Sequence, residues 1–267
     1  MADTPILRVR GLQKSFSGIV AARDISVDVA AGEIIGIIGA NGAGKTVFVN
    51  MITGYLKPSG GTIHYDGRDI TGIRPRDATH VGVCRSFQIS QVFMTMTVRE
   101  NLQIALAIAR QKGMAMLRPI DQPDLRRACD EIMAQYRIAG YAEAEVSTLS
   151  QGVRKLLDIA MAVVAEPRIL LLDEPTSGVS AEEKFAIMDI VISALKQSGT
   201  AVLFVEHDME IVERYVDRVL AFYQGEVICD APPAAALTDP KVLEYVIGER
   251  VASVDGNGGV STGAAHA

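Results

Sequence analysis

Apolar positions along this chain change their period several times. Over residues 6–30 they alternate with polar ones: Ile6, Val9 and Leu12 around Arg8, then Ile25, Val27 and Val29. A period of two predicts short antiparallel strands, here joined by turns at Gly11 and Gly18. Glu33-Ile34-Ile35-Gly36-Ile37-Ile38 is an unbroken apolar run and reads as the next strand. Residues 61–67 read as a hairpin closed by Asp66-Gly67, a dipeptide that suits tight antiparallel turns. From Thr97 the spacing becomes helical, with Val98, Leu102, Ala105, Leu106 and Ala109 on one face. It resumes over 126–136 after a break at Pro119 and Pro123. Residues 97–148 are therefore expected to form a helical insertion within an α/β chain.

The alternation of strand and helix then returns. Ser150 is placed to cap a helix through Leu156, Ile159, Ala160 and Val163. Arg168-Ile169-Leu170-Leu171-Leu172-Asp173 has the continuous apolar character of a buried parallel strand. Residues 181–196 form an amphipathic pattern, with Phe185, Met188, Val191, Ile192 and Leu195 on one face. Residues 200–206 predict another buried strand, and 217–224 with 226–230 two edge strands around Gly225. The Gly/Ser/Ala-rich stretch 251–267 has no core-forming pattern and is expected to be disordered. One ordered domain over 6–250 is the resulting expectation.

Composition narrows the possibilities. A 267-residue chain with 49% hydrophobic and 22% charged residues has ample material for a core. No apolar run approaches the roughly 18 residues needed to span a bilayer, and the start of the chain lacks the pattern of a secretory signal. A net charge of −6 argues against a nucleic-acid partner held by a basic surface. Cys84, Cys129 and Cys229 have no metal-ligand spacing and read as reduced thiols. His64, His80 and His266 are isolated in the sequence. A mean hydropathy of +0.22 suits a protein that docks onto something apolar.

The chemistry begins at Gly39-Ala40-Asn41-Gly42-Ala43-Gly44-Lys45-Thr46, between the apolar run and the helical pattern Val47-Phe48-Val49-Asn50-Met51-Ile52. Glycines let backbone N–H groups line an anion-sized hollow, and the helix start adds unpaired donors and the positive end of its dipole. Lys45 can reach the β- and γ-phosphates, and the Thr46 hydroxyl can ligate Mg²⁺. This is the pattern of a nucleoside triphosphate site. Asp173 ends a buried strand, where a carboxylate can hold Mg²⁺ through water, and Glu174 can orient or deprotonate an attacking water.

Leu149-Ser150-Gln151-Gly152-Val153-Arg154 brings these motifs into an order that resembles the ATP-binding cassette (ABC) ATPases, whose signature is usually Leu-Ser-Gly-Gly-Gln. The resemblance covers about residues 6–250. It implies a P-loop NTPase fold: a mostly parallel core sheet, an N-terminal antiparallel β subdomain and a helical insertion. It also implies ATP and Mg²⁺ as cofactors. Phe16 resembles the aromatic residue that stacks on adenine. Gln88 resembles the glutamine that reaches Mg²⁺ and the attacking water, and His207 the switch histidine at the γ-phosphate. Ser150 and Gly152 would close on ATP bound to a partner cassette in a head-to-tail dimer. The chain departs from the pattern at Gln151, at Val153, and at Ser180, where the family often has Asp or Asn.

Further stretches resemble the cassettes of branched-chain amino acid importers. These are Ser86-Phe87-Gln88, Met96-Thr97-Val98-Arg99-Glu100-Asn101-Leu102, Glu206-His207-Asp208-Met209 and Tyr245-Val246-Ile247-Gly248-Glu249. The implied partners are a second cassette, related or identical, transmembrane permease subunits and, indirectly, a soluble solute receptor. The implied location is peripheral, on the cytoplasmic face of the plasma membrane. Urea, short-chain amide and aromatic-acid importers carry similar cassettes and stand as alternatives for the solute. A DNA-repair or translation cassette would carry a long coiled coil or a second cassette, and the chain has neither pattern. A regulatory module that binds ATP without turnover is the remaining alternative, motivated by Val153 and Ser180.

Overall fold

The computed structural model describes residues 4–86, 92–110 and 122–248. Gln88, Pro119 and the stretch 251–267 lie outside the described residues. In chain order the elements are β1 (Leu7–Phe16), β2 (Ile19–Val29), β3 (Ile34–Gly39), α1 (Lys45–Ile52), β4 (Gly60–Tyr65), β5 (Arg68–Asp69), α2 (Pro75–Val81), β6 (Val83–Arg85), α3 (Val98–Arg110) and α4 (Pro123–Gln135). They continue with α5 (Gln151–Val163), β7 (Ile169–Asp173), α6 (Lys184–Ser198), β8 (Ala201–Val205), α7 (Met209–Tyr215), β9 (Arg218–Tyr223) and β10 (Glu226–Ala231).

Among the described residues the strands form an antiparallel sheet, ordered β2-β1-β4-β5, and a six-stranded sheet, ordered β10-β9-β3-β8-β7-β6. In the larger sheet only the β9–β10 pair is antiparallel. Its central strands are apolar throughout because both faces are covered. Ile34 and Ile38 of β3, with Val202 and Phe204 of β8, pack into the core beneath α5, α6 and α7. Ile35, Ile37, Leu203 and Val205 point the other way, into a core shared with α1 and the antiparallel sheet.

The 97–148 stretch leaves and rejoins the chain at one place. Thr97 bridges Glu145, and the N–H groups of Val146 and Ser147 donate to the carbonyls of Met96 and Met94 at 3.0 and 2.9 Å. Between these points Val98, Leu102 and Leu106 of α3 and Leu125, Cys129 and Met133 of α4 join the core under the larger sheet. Pro123, read as part of the break, is the first residue of α4, where its missing N–H costs nothing.

Two expectations are corrected. Gly11 is no turn: β1 runs through it as a bulge, with the register to β2 shifting between Val9 and Leu12. Its N–H donates to Ser26 Oγ at 2.9 Å. A bulge and a turn both call for a left-handed glycine, and only the cross-strand register separates them. Second, β9 lies inside the sheet between β10 and β3 rather than at an edge. Of this pair only β10 is an edge strand, the other border of the sheet being β6; the fully buried run Val219-Leu220-Ala221-Phe222 is the physical reason. The amphipathic helix expected from residue 181 begins at Lys184, after a turn in which Ser180 Oγ accepts from the Glu183 N–H at 3.3 Å.

Opposite the bulge, Gly61 has φ +83°, and a Cβ there would run into the Gly11 carbonyl. Gly67, in the β4–β5 turn, has φ +75° with open space around it. Gly61→Ala is expected to destabilise the chain by about 3 kcal/mol and Gly67→Ala by only about 1 kcal/mol; equal urea midpoints for the two variants would contradict this packing. Cys84 and Cys129 are buried, and burial pushes both thiols up to about 11. At pH 7.5 both should react with iodoacetamide at least ~10²-fold more slowly than a free thiol, and at ordinary rates in denaturant. Peptide mapping of the labelled chain checks this.

Candidate active site

The parallel strands deliver their chemistry at one edge. Asp173, last residue of β7, is level with Val205, last residue of β8, and Val205 is in turn level with Ile37 of β3. The loop after Gly39 therefore rises beside the residues that follow β7 and β8. Glycine is required at position 44, the N-cap of α1, with φ +103°. A Cβ there would lie 2.8 Å from the Ala21 carbonyl oxygen and 3.1 Å from the Gly225 backbone. The loop is thus pressed between β2 and the β9–β10 turn, where Gly225 N–H donates to the Ala43 carbonyl at 2.9 Å.

No side chain caps α1, and its first turn carries no acidic residue. Its leading N–H groups are left to an anion. Lys45 is only 6% exposed, and its Nζ donates to the carbonyls of Gly39 at 2.7 Å and Ala40 at 3.0 Å. The ammonium is folded over the loop it serves. A cavity of about 180 Å³ opens beside it, lined by residues 41–47, Ala21, Asp173, Glu174, Val205 and His207. Of the residues expected to act on nucleotide, Asn41, Gly42, Ala43, Gly44, Lys45, Thr46, Asp173, Glu174 and His207 meet here. Gly39 and Ala40 take part through the carbonyls that hold Lys45.

Glu174 has φ +48°, a left-handed conformation that costs a non-glycine residue about 1–2 kcal/mol. Its N–H donates to the Val205 carbonyl at 3.0 Å, and its Oε1 lies 3.1 Å from His207 Nε2. The strained backbone delivers its carboxylate to the cavity wall, and the imidazole holds it there. Thr46 and Asp173 supply hydroxyl and carboxylate oxygens to the same cavity. That hard-donor set fits Mg²⁺, which takes one or two protein oxygens and completes its shell with phosphates and water.

Three charged residues around the site escaped the sequence reading. Glu206 is 3% exposed. Its Oε1 accepts from Thr176 Oγ1 at 2.6 Å and the Thr176 N–H at 3.2 Å, and its Oε2 from the N–H groups of His207 and Asp208 at 3.0 and 3.4 Å. One buried carboxylate thereby ties the turn after Glu174 to the turn carrying His207. An acid ending an apolar strand was the available signal, the same one that marked Asp173. Arg85 pairs with Asp173 at 2.5 Å; its partner is distant in sequence, so no local pattern marks it. Lys155, buried on α5, adds a further charge. Burial lowers its pKa, while Asp158, Asp173, Glu206 and Glu174 pull the other way.

Other expected residues lie elsewhere. Phe16 ends β1, 44% exposed, with Lys14 Nζ 5.0 Å from its ring centroid, and it is not among the residues that line the cavity. Ser150 is the N-cap of α5, accepting from Val153 N–H at 3.4 Å, and is exposed away from this lining. Gly152 is buried, and a Cβ on it would lie 2.8 Å from Ile187 Cδ1, so α5 packs on α6 at that point. Gln88 lies outside the described residues. A larger cavity of about 640 Å³, bordered by Arg110, Glu131, Glu166 and Arg168, shares no residue with the site.

Known proteins resemble this chain along most of its length. Residues 22–177 match the family model described as ABC transporter. The chain is 32% identical over 252 residues to the high-affinity branched-chain amino acid transport ATP-binding protein LivG of Salmonella typhimurium, covering 92% of this chain and 98% of that protein. It is 32% identical over 253 residues to the corresponding BraF of Pseudomonas aeruginosa, with the same coverage. Among solved structures, the ADP conformation of an ATP-binding cassette of an ABC transporter superposes with a TM-score of 0.81 at 30% identity, covering 90% of this chain and 97% of that one. CbiO1 of Clostridium perfringens gives a TM-score of 0.78 at 27% identity, covering 94% and 98%. With more than half of the chain matched by that family model and relatives 32% identical along 92% of it, the chain belongs to the ABC transporters and is one of their ATP-binding cassettes.

Proposed function

We propose that this cassette hydrolyses ATP to energise uptake of branched-chain or other hydrophobic amino acids. The observation that carries the catalytic reading is the convergence of Lys45, Thr46, Asp173, Glu174 and His207 on one cavity. The solute reading is supported by likeness to LivG and BraF along 92% of the chain.

Phosphate oxygens of ATP would accept from the leading N–H groups of α1, and Lys45 would turn from the Gly39 and Ala40 carbonyls toward them. Thr46 and Asp173 are the residues that would hold Mg²⁺, which when bound neutralises phosphate charge. Glu174 would accept a proton from the attacking water, and His207 keeps its carboxylate directed at the cavity and, as the resemblance implies, would contact the γ-phosphate. Lysine and backbone donors stabilise charge that develops on the phosphoryl oxygens. Phe16 is assigned to adenine stacking and Gln88 to the metal and water.

Ser150 and Gly152 do not line this chain's cavity, in keeping with service to ATP on a partner cassette. The partners are that second cassette and transmembrane permease subunits, with a soluble receptor acting on the permease. CbiO1, a relative in fold and sequence, is described as part of the transporter complex CbiONQ. No helix among the described residues is long and apolar enough to cross a membrane. The proposed location is peripheral, on the cytoplasmic face, reached through the permease; likeness to transport ATP-binding proteins supports it.

Glu174→Gln is expected to leave ATP binding intact, to trap a closed dimer with the partner cassette, and to slow phosphate release by at least ~10²-fold. Unchanged release in a malachite-green assay would remove Glu174 as the essential base. For the solute, the soluble receptor co-purified with the membrane complex should gain thermal stability with leucine or valine. A shift only with urea, an amide or an aromatic acid would reassign the transporter.

A further inference from the structure

We infer that Arg85 is a positioning residue for the Asp173 carboxylate and so controls how the chain takes up its divalent cation. The inference rests on the reading of Asp173 as the metal carboxylate, and the variants below separate the two. Arg85 ends β6, the edge strand of the larger sheet, and sits level with Leu171 of β7. Residues two apart on a strand share a face. Asp173 thus projects on the side of Leu171, which packs with Phe48 and Val49 of α1.

From β6 the guanidinium reaches two elements at once. Nη1 donates to Asn50 Oδ1 on α1 and Nη2 to Asp173 Oδ2 on β7, both at 2.5 Å. The Arg85 and Asp173 side chains are 10% and 14% exposed, so solvent screens the pair little. Asn50 lies one helical turn beyond Thr46, on the same side of α1. A single planar cation therefore sets the spacing between the helix that carries the Thr46 hydroxyl and the strand that carries the carboxylate.

The consequence concerns the second carboxylate oxygen. With Oδ2 committed to Arg85, Oδ1 is the oxygen left to hold a cation beside Thr46, directly or through water, and the carboxylate cannot rotate away without breaking a mostly buried ion pair. Lys155 adds positive charge to the same carboxylates, but burial lowers its pKa, whereas a guanidinium stays charged. Lysine at position 85 would keep a charge and lose the fork that spans both acceptors.

The test uses the full chain with Arg85→Lys, Asn50→Leu and Asp173→Asn. The primary readout is the gain in affinity for a fluorescent, non-hydrolysable ATP analogue on passing from EDTA to Mg²⁺. Arg85→Lys is expected to lose at least ~10-fold of that gain, within the range seen when residues supporting a metal ligand are changed. Its affinity in EDTA should stay within about 2-fold, and the Mg²⁺ concentration for half-maximal turnover should rise in parallel. Asn50→Leu, which leaves the ion pair in place, should lose about 3-fold. If Asp173→Asn keeps the full Mg²⁺ gain, the metal reading of Asp173 falls. If Asp173→Asn loses the gain while both other variants keep it, Arg85 is merely structural and the inference is overturned. Should Arg85→Lys fail to fold, Asn50→Leu decides alone, and an unchanged gain refutes the inference.

Discussion

Backbone amides can bind an anion only if something other than those amides holds the loop in shape. Here that support comes from outside the loop. Gly44 sits against the Ala21 carbonyl and the Gly225 backbone, and Gly225 returns a hydrogen bond to Ala43. The antiparallel sheet and the β9–β10 turn therefore brace the phosphate loop from two sides. Any side chain at position 44 would push this junction apart, and the N–H groups of α1 would lose their common aim. The placement of β3 between β8 and β9 follows the same logic, because a central, doubly covered strand is the stiffest base the sheet offers.

Charge is handled in a similar way. Asp173 and Glu174 are adjacent carboxylates at the rim of a core and would repel one another if left alone. Each is given its own partner: Arg85 for Asp173 and His207 for Glu174. Glu206 is buried beneath them and is stabilised by hydroxyl and amide donors from the turns on either side. Movement at either turn is thereby felt at the other. This gives a physical route by which movement at His207 reaches the turn that carries Thr176.

Much of the site was legible in the sequence because its parts are local. A glycine loop between an apolar run and a helix, or a carboxylate closing four apolar residues, is recognisable without knowing what lies opposite. Nucleotide roles for Phe16, Ser150 and Gly152 came only through resemblance, whereas the cap at Ser150 was legible from the pattern itself. The structure gives each a local setting — a cation over the Phe16 ring, a cap for α5, a helix contact with Ile187 — and leaves them off the cavity. Arg85 was illegible because Asn50 and Asp173 approach it from different elements. Gly11 misled because a bulge and a turn ask the same of a single residue.

The order of strand, loop and helix, the identity of the phosphate loop and the two acids at the end of β7 were determined by the sequence itself. Each depends on neighbours a few residues apart, where spacing alone dictates which side chains share a face. Tertiary structure decided which strand is central, that β9 lies inside the sheet, and that Arg85 and Glu206 belong to the site. Those facts are set by strand order and register, which arise from packing between segments far apart in the chain and leave no periodic trace along it.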